Sequence, residues 1–177
     1  MNVIISNAKP EDAEQIQKLY YETWVDTYRN DEHGITLENL QYRYRDSMSE
    51  KSIDWLRDFI KSKIPDNNKY LTAKVDSKVI GVSYLEKEID HNRLHGLYIL
   101  PEYQSKGMGK MFWEEAKKFF DLKNKTILEV AVYNAKAIGF YKKLGFIDTG
   151  KRYPEERITD EKIVKIPMME MNLPPLL

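Results

Sequence analysis

The segment 95–119 constrains the fold of this chain most, because a short glycine-containing turn joins a predicted strand to a predicted helix there. The apolar run 97–100 is followed by Pro101, and an amphipathic helical pattern starts at Gly107. A helix start presents unpaired main-chain N–H groups and the positive end of the helix dipole, which together favour phosphate binding. Gly107 and Gly109 lack a Cβ atom, so phosphate oxygens could reach the main chain. The junction is either a phosphate-binding loop or a plain strand-to-helix turn.

Two common nucleotide-binding patterns do not match this turn. The Gly-x-Gly-x-x-Gly pattern requires a glycine at position 112, which is Phe112. The Walker pattern requires Ser or Thr after a Gly-Lys pair, but Met111 follows Lys110, and no glycine lies five residues before Gly109. The turn is therefore not assigned to either nucleotide-binding class.

The hydrophobic pattern along the whole chain predicts one α/β (α+β) domain around a mixed sheet. Helices are predicted at 10–29, 37–45, 52–63, 107–121 and 135–144. Strands are predicted at 2–7, 70–75, 79–87, 93–100, 126–132, 146–151 and 162–173, the last interrupted or bulged at Pro167. We expect a single domain over 1–177, with substrate-side helices in 1–65, a core in 70–150, and a last strand and tail in 151–177.

Composition excludes several classes of protein. Lys plus Arg and Asp plus Glu balance at 28 each, which argues against nucleic-acid or anionic-membrane partners. The chain has no cysteine, so it forms no disulfide, no thiolate metal site and no cysteinyl acyl intermediate, and no metal site is predicted. No run approaches the ~18–20 apolar residues of a membrane span, and the start lacks signal-peptide features. We expect a cytoplasmic protein.

A second segment, 134–146, follows the glycine turn by about thirty residues, and the two together resemble the GNAT superfamily of N-acetyltransferases. Residues 104–109, Gln-Ser-Lys-Gly-Met-Gly, match the superfamily's Gln/Arg-x-x-Gly-x-Gly/Ala acetyl-coenzyme A motif. Residues 134–146 match its Asn-x-x-Ala-x-x-x-Tyr-x-x-x-Gly-Phe segment. The resemblance implies the GNAT fold, in which the mixed sheet is splayed between the two strands that hold acetyl-coenzyme A.

The resemblance also implies how the coenzyme is bound. Main-chain N–H groups of 105–110 would hold the pyrophosphate, strand 97–99 would pair with the pantetheine arm, and Asn134 would contact that arm. As an alternative or additional role, Asn134 could be an ordinary helix N-cap. The implied coenzyme-binding residues are Leu97, Tyr98, Ile99, Ser105, Lys106, Gly107, Met108, Gly109, Lys110, Asn134 and Tyr141.

The implied reaction is direct attack by a neutral amine on the acetyl carbonyl. Tyr141 matches the superfamily tyrosine that protonates the departing thiolate, although such a residue could also serve packing alone. The oxyanion would be bound by the main-chain N–H of Tyr98 or Ile99.

The general base stays open at this point. The glutamate of the histone-type branch corresponds to Arg93 here, which weakens a lysine-acetyltransferase assignment. Glu129 matches a glutamate of the branch that acetylates ribosomal-protein N-termini, and His95 lies on the coenzyme-binding strand with a side chain suited to proton transfer. Glu86 is a third candidate, and a water chain without a single base is a fourth.

The N-terminal region resembles the PaiA-like polyamine N-acetyltransferase subgroup through its Trp24…Thr-Tyr-Arg segment and the Gly-Ile that follows, although the insertion 30–33 precedes that glycine. The expected substrate is therefore a polyamine such as spermidine or spermine. The acidic residues that could attract such a polycation, or simply be solvated, are Asp26, Asp31, Glu32, Glu155 and Glu156. The predicted substrate-binding residues are Trp24, Asp26, Tyr28, Glu86 and Tyr153.

Two other functions remain open. Glu129 and Tyr153, expected in the last connection with Pro154, would also suit acetylation of protein or peptide N-termini. A third reading is an acyl-coenzyme A-binding regulator with little catalysis. The predicted edge strand around 167–171 and the apolar tail 174–177 could join the sheet of a homodimer or fold back on the core.

Overall fold

The computed structural model describes residues 2–159 and 162–176. Its strands form one sheet in the order β1-β2-β3-β4-β5-β7-β6. The strands are β1 Ile4–Asn7, β2 Asn68–Val75, β3 Lys78–Lys87, β4 His91–Ile99, β5 Lys125–Ala131, β6 Ile147–Thr159 and β7 Lys162–Leu173. Strands β4 and β5 are parallel, and the other neighbouring pairs are antiparallel. The predicted mixed sheet is confirmed.

Five α-helices accompany this sheet in the described part of the chain. They are α1 Ala13–Tyr28, α2 Leu37–Tyr44, α3 Glu50–Ser62, α4 Met108–Phe119 and α5 Ala135–Lys143. Side-chain caps define several starts: Ser49 accepts from the N–H of Ser52 at α3, and Thr36 and Asn39 form a capping box at α2. The predicted first helix instead opens with a 3₁₀ turn, Pro10–Asp12, before α1. No helix within these described ranges has both the length and the apolar character needed to cross a bilayer.

Two layers of helices cover opposite faces of the sheet. Leu97 lines a small cavity with Phe112 of α4, whereas the next residue, Tyr98, contacts the rings of Tyr20 and Trp24 of α1. Because successive strand residues point to opposite faces, α4 and α5 lie on one face and α1 on the other.

The C-terminal strands differ from the sequence prediction. Strand β6 continues to Thr159, so Tyr153 and Pro154 lie inside a strand, opposite Met168 and Pro167, and not in a connection. Because the two prolines face each other, their missing N–H donors fall at one position of the ladder. The strand is therefore longer than the predicted 146–151.

The predicted bulge and edge were also wrong. The register shift lies in β6, between Asp148 and Arg152, and β7 passes through Pro167 without one. Strand β7 is sandwiched between β5 and β6, so it is not an edge strand. The N–H of Leu176 donates to the carbonyl of Leu122 at 2.9 Å, which folds the tail back on the connection between α4 and β5.

Candidate active site

The parallel strands β4 and β5 separate along their length. Their pairing runs from His91↔Lys125 to Leu94↔Leu128 and then stops, although β4 stays paired with β3 and β5 with β7. The facing edges beyond this point carry main-chain N–H and C=O groups that no strand of the described sheet satisfies. Such an edge is a template for an extended ligand. This separation, hereafter the split, is the splay that the sequence predicted.

Strand β4 contains a β-bulge at the mouth of the split. Tyr84 pairs with Gly96 and Leu85 pairs with Leu94, which leaves His95 as the extra residue. Bulges of this kind redirect a side chain and are frequent beside active sites. The unpaired edge beyond the bulge carries three predicted coenzyme-binding residues, Leu97, Tyr98 and Ile99.

The glycine turn after β4 forms a concave main-chain surface. Ser105 and Gly107 both have left-handed backbones, with φ of 60° and 82°. Left-handed residues at alternate positions turn successive N–H groups inward, as in anion-binding nests. The first bond inside α4 runs from the N–H of Met111 to the carbonyl of Gly107, so the three preceding N–H groups lack helical acceptors. A Cβ on Gly107 would meet no atom within 4 Å, so the space outside the turn is open.

Gly109 also serves the packing of two helices, a role that the sequence did not predict. A Cβ there would lie 2.7 Å from the ring of Phe140, so glycine allows α4 to pack closely on α5. Met108 is buried, which leaves its main chain as the group available to a ligand. Lys106 and Lys110 supply positive charge beside the turn, and the Lys106 ammonium lies 5.6 Å from the ring of Tyr103.

Gln104 ties the turn to its surroundings, although the sequence analysis did not select it as a site residue. Its amide donates to the carbonyl of Ile99 at 2.8 Å and accepts from the ammonium of Lys136 on α5. Asn134 caps α5 by accepting from the N–H of Ala137 at 3.0 Å, so its predicted N-cap role is present. The first position of the glycine motif was the available signal for Gln104.

Tyr141 lies on α5 and is buried against Phe146. Burial, and then the nearby Tyr98, raise the pKa of the Tyr141 hydroxyl. The hydroxyl therefore stays protonated at neutral pH and can donate. It has no hydrogen-bond partner among the described residues.

Aromatic side chains line the split on the α1 face. The rings of Trp24 and Tyr28 are 4.3 Å apart, and the hydroxyls of Tyr28 and Tyr98 are 3.3 Å apart. Tyr133 donates to the carbonyl of Tyr28 at 2.9 Å, and burial raises the pKa of Tyr133 to about 12. Sequence reasoning missed Tyr133, whose ring stacks on His33 of the inserted turn at 5.3 Å.

Asp26 lies on another part of α1. It is exposed, whereas Trp24 and Tyr28 are buried. Residues two apart on a helix do not share a face, so the helix separates Asp26 from the two aromatic residues. Two of the other predicted acidic residues are paired with cations: Asp31 with Arg29 at 3.2 Å, and Glu156 with Lys165 at 3.2 Å.

Charged side chains form pairs across the strands beside the split. The Arg93 guanidinium contacts Glu88 at 3.1 Å and Glu129 at 3.3 Å. The His95 Nε2 lies 2.6 Å from the Glu86 Oε2. Burial, and then Glu129, raise the pKa of Tyr153, whose buried hydroxyl makes no hydrogen bond of acceptable geometry with the described residues.

Residues 15–146 match the acetyltransferase (GNAT) family, and the chain belongs to this family. It is therefore an N-acetyltransferase, and acetyl-coenzyme A is its acetyl donor, as the sequence predicted.

Similar proteins include enzymes with different acceptors. A spermidine N(1)-acetyltransferase of Thermoplasma acidophilum is 31% identical over 151 residues, which cover 82% of this chain and 89% of that protein. The crystal structure of a PaiA N-acetyltransferase from the same organism, in complex with coenzyme A, has a TM-score of 0.70 at 24% identity and covers 98% of this chain and 99% of its own. The ribosomal-protein-S18-alanine N-acetyltransferase of Escherichia coli has a TM-score of 0.64 at 17% identity, covering 99% and 96%. These structural matches show the fold.

Proposed function

We propose that this N-acetyltransferase acetylates a primary amine of a polyamine such as spermidine or spermine. The observation that carries the proposal is the split between β4 and β5, which has an open anion-binding turn at one end and paired carboxylates on the α1 side. The 31% identity to a spermidine N(1)-acetyltransferase supports this class of acceptor.

The described residues fit acetyl-coenzyme A, which supplies the acetyl group as an activated thioester when bound. The unpaired edge of β4 at 97–99 would bind the pantetheine arm, with Asn134 beside it. The N–H groups of 105–110 would bind the pyrophosphate, because the left-handed turn and the start of α4 both present N–H groups there. The lysines at 106 and 110 add favourable charge.

The chain also carries groups for the chemical step. The N–H of Tyr98 or Ile99, on the unpaired edge, would stabilise the oxyanion. Tyr141 would donate its proton to the departing thiolate, a role that the raised pKa of its hydroxyl permits because the proton is retained until the thiolate forms.

Carboxylates on the α1 side would hold the other ammonium groups of a polyamine. Glu86 on β3, Glu88 directly after β3 and Glu129 on β5 flank strand β4; Arg93 of β4 partly neutralises Glu88 and Glu129, and Glu86 contacts His95. A polyamine carries several positive charges separated by short methylene chains, so a row of carboxylates complements it. The aromatic rings of Trp24, Tyr28 and Tyr98 would contact its methylene chains.

The experiment is a measurement of thiol release from acetyl-coenzyme A with spermidine, spermine, amino sugars, amino acids and short peptides. We expect turnover on the polyamines, and Tyr141→Phe should lower kcat by about 10²-fold or more with unchanged coenzyme affinity. Turnover confined to another amine class would overturn the polyamine assignment. Coenzyme binding without turnover on any amine would indicate an acyl-coenzyme A-binding regulator.

Acetylation of protein or peptide N-termini is the second candidate. The observation in its favour is the Tyr153 hydroxyl, which is buried beside Glu129 without a hydrogen bond of acceptable geometry and could accept or donate to a peptide main chain. Turnover on short peptides and none on spermidine would select this function.

A further inference from the structure

The bulge in β4 gives His95 a special position. It is the residue directly after the last β4–β5 pair, so it stands where the split opens. Its ring lies 5.4 Å from the ring of Tyr84, which in turn contacts Phe59 of α3. The bulge therefore turns His95 toward the α1–α3 face, which is the face from which we expect the amine to enter.

Glu86 fixes the orientation of the His95 ring. The 2.6 Å contact joins Nε2 to a carboxylate oxygen, and a carboxylate accepts a hydrogen bond. In the neutral ring the proton is therefore on Nε2, and Nδ1 carries a lone pair. Nδ1 has no hydrogen-bond partner among the residues that the structure describes. It is available to accept a proton, and Glu86 is placed to stabilise the imidazolium that results.

Glu129 is in a different situation. The Arg93 guanidinium contacts Glu129 at 3.3 Å and Glu88 at 3.1 Å. A proton added to Glu129 would remove its ion pair with Arg93, whereas a proton added to His95 would create an ion pair with Glu86. The groups that contact the His95 ring are Glu86 and Tyr84 on β3; Arg93 on β4 interacts electrostatically with Glu86 and pairs with Glu129 on β5.

We infer that His95 is the general base of the acetyl transfer and that Glu86 is its positioning residue; this inference rests on the proposed amine acetylation. The amine attacks in its neutral form, after its ammonium proton has gone to solvent; its nitrogen forms a bond with the acetyl carbon and loses one N–H proton to Nδ1 of His95. The carbon–sulfur bond breaks, and the departing thiolate takes a proton from Tyr141. One proton is gained by His95 and one is lost by Tyr141, so the protein returns to its starting state when solvent restores both.

The first test compares pH profiles of kcat/KM for one amine, at saturating acetyl-coenzyme A, in wild type and in His95→Gln, Glu86→Gln and Glu129→Gln. We expect His95→Gln to lower kcat/KM at pH 7.5 by at least about 10²-fold. It should also abolish the acidic limb of the pH profile, which is the fall of kcat/KM at low pH that protonation of the base causes. Glu86→Gln should lower kcat/KM by about tenfold, because the ring loses the carboxylate that orients it. Glu114→Gln is the control for loss of a carboxylate, since Glu114 is exposed on α4, on the opposite face of the sheet, and pairs with Lys117 at 2.8 Å. It should stay within about twofold of wild type.

A second readout does not depend on turnover. Long-range ¹H–¹⁵N spectra of the free protein should show His95 with its proton on Nε2, and Glu86→Gln should produce a mixture of the two tautomers. A mixture already present in wild type would contradict the role of Glu86. The assignment of the base would be overturned if His95→Gln kept both the wild-type kcat/KM and the acidic limb of the pH profile. It would also be overturned if Glu129→Gln lost both. Absence of turnover by wild type on every amine would instead refute the proposed function, and the base assignment with it.

Discussion

The two sides of the split are built in different ways. One side, which we propose binds the coenzyme and call the coenzyme side, is the turn 104–110 with α4 and α5. It presents main-chain groups whose directions are set by Ser105 and Gly107. The other side, which we propose binds the acceptor amine and call the acceptor side, is the α1 face of β3 to β7. It presents side chains that meet across strands, as Arg93 and Glu129 do. Binding through the main chain is specified by local backbone conformation, and binding through side chains is specified by strand register.

This difference explains why proteins that share the fold differ in their acceptors. A main-chain site tolerates many side-chain changes if its turn and helix start are kept. A side-chain site changes with a single residue; the resemblance, for example, places Arg93 where the histone-type branch has glutamate. Substitutions on the coenzyme side should therefore act through conformation and packing, and those on the acceptor side through hydrogen bonds and charge.

The largest losses of stability and of coenzyme affinity are expected on substitution of Gly109. Gly109→Ala places a Cβ 2.7 Å from the Phe140 ring, and relieving that overlap should cost about 1–3 kcal/mol and lower coenzyme affinity at least about tenfold. Thermal unfolding and calorimetric titration with coenzyme A measure both effects. Gly139→Ala is the matched control, because a Cβ there meets nothing within 4 Å, and it should stabilise the helix by about 0.5–1 kcal/mol. Partial recovery in Gly109→Ala/Phe140→Leu would show that the ring is the cause.

A smaller loss of stability is expected on substitution of Gly107, and its cause is the backbone conformation alone. No atom blocks a Cβ there, but φ is 82°, and a left-handed backbone costs an ordinary residue about 1–2 kcal/mol. Gly107→Ala should lower the free energy of unfolding by that amount, as measured by urea denaturation. Gly107→Asn should recover part of it, because asparagine tolerates this conformation. Equal losses in both variants would point to sterics instead.

These glycines also show how far sequence reasoning reached. The motif predicted the turn and the helix start, because local backbone signals encode them, and the resemblance to the GNAT superfamily implied the split. It did not reveal that Gly109 serves the contact with Phe140, which depends on how two helices pack. The bulge at His95 and the pairing of Arg93 with Glu129 depend on strand register, which single-strand patterns do not specify. The length of β6 was missed because Pro154 suggested a turn, and its partner Pro167 is thirteen residues away.

On the acceptor side, two tyrosines differ in whether the side-chain hydroxyl makes a hydrogen bond. Tyr133 donates to the carbonyl of Tyr28 at 2.9 Å, so Tyr133→Phe should lower the free energy of unfolding by about 1 kcal/mol. The Tyr153 hydroxyl is buried without a hydrogen bond of acceptable geometry, so Tyr153→Phe should leave stability unchanged or raise it by up to about 1 kcal/mol. Urea denaturation of both variants decides this. A loss at Tyr153 equal to that at Tyr133 would mean that its hydroxyl already has a strong partner.

The smallest effect is expected at the β6 bulge, which lies at the outer edge of the acceptor side. The Arg152 guanidinium, and then the N–H of Gly150, lower the pKa of Asp148 to about 2. A carboxyl whose folded pKa is below its usual value near 3.9 stabilises the folded protein above that usual value, and the contribution is lost as pH falls from about 4 to about 2. Asp148→Asn should therefore lower the Tm slightly at pH 6, and the difference from wild type should shrink between pH 4 and pH 3.

Glu114→Gln is the comparison: Lys117 lowers the pKa of Glu114 on an exposed helix face, so a similar acid dependence is expected there without any effect on β6. Since both carboxylates are exposed, solvent screens them, and raising the salt concentration should reduce both differences. A Tm difference at Asp148 that persists unchanged at pH 3 would show that Asp148 acts through the shape of the bulge and not through its charge.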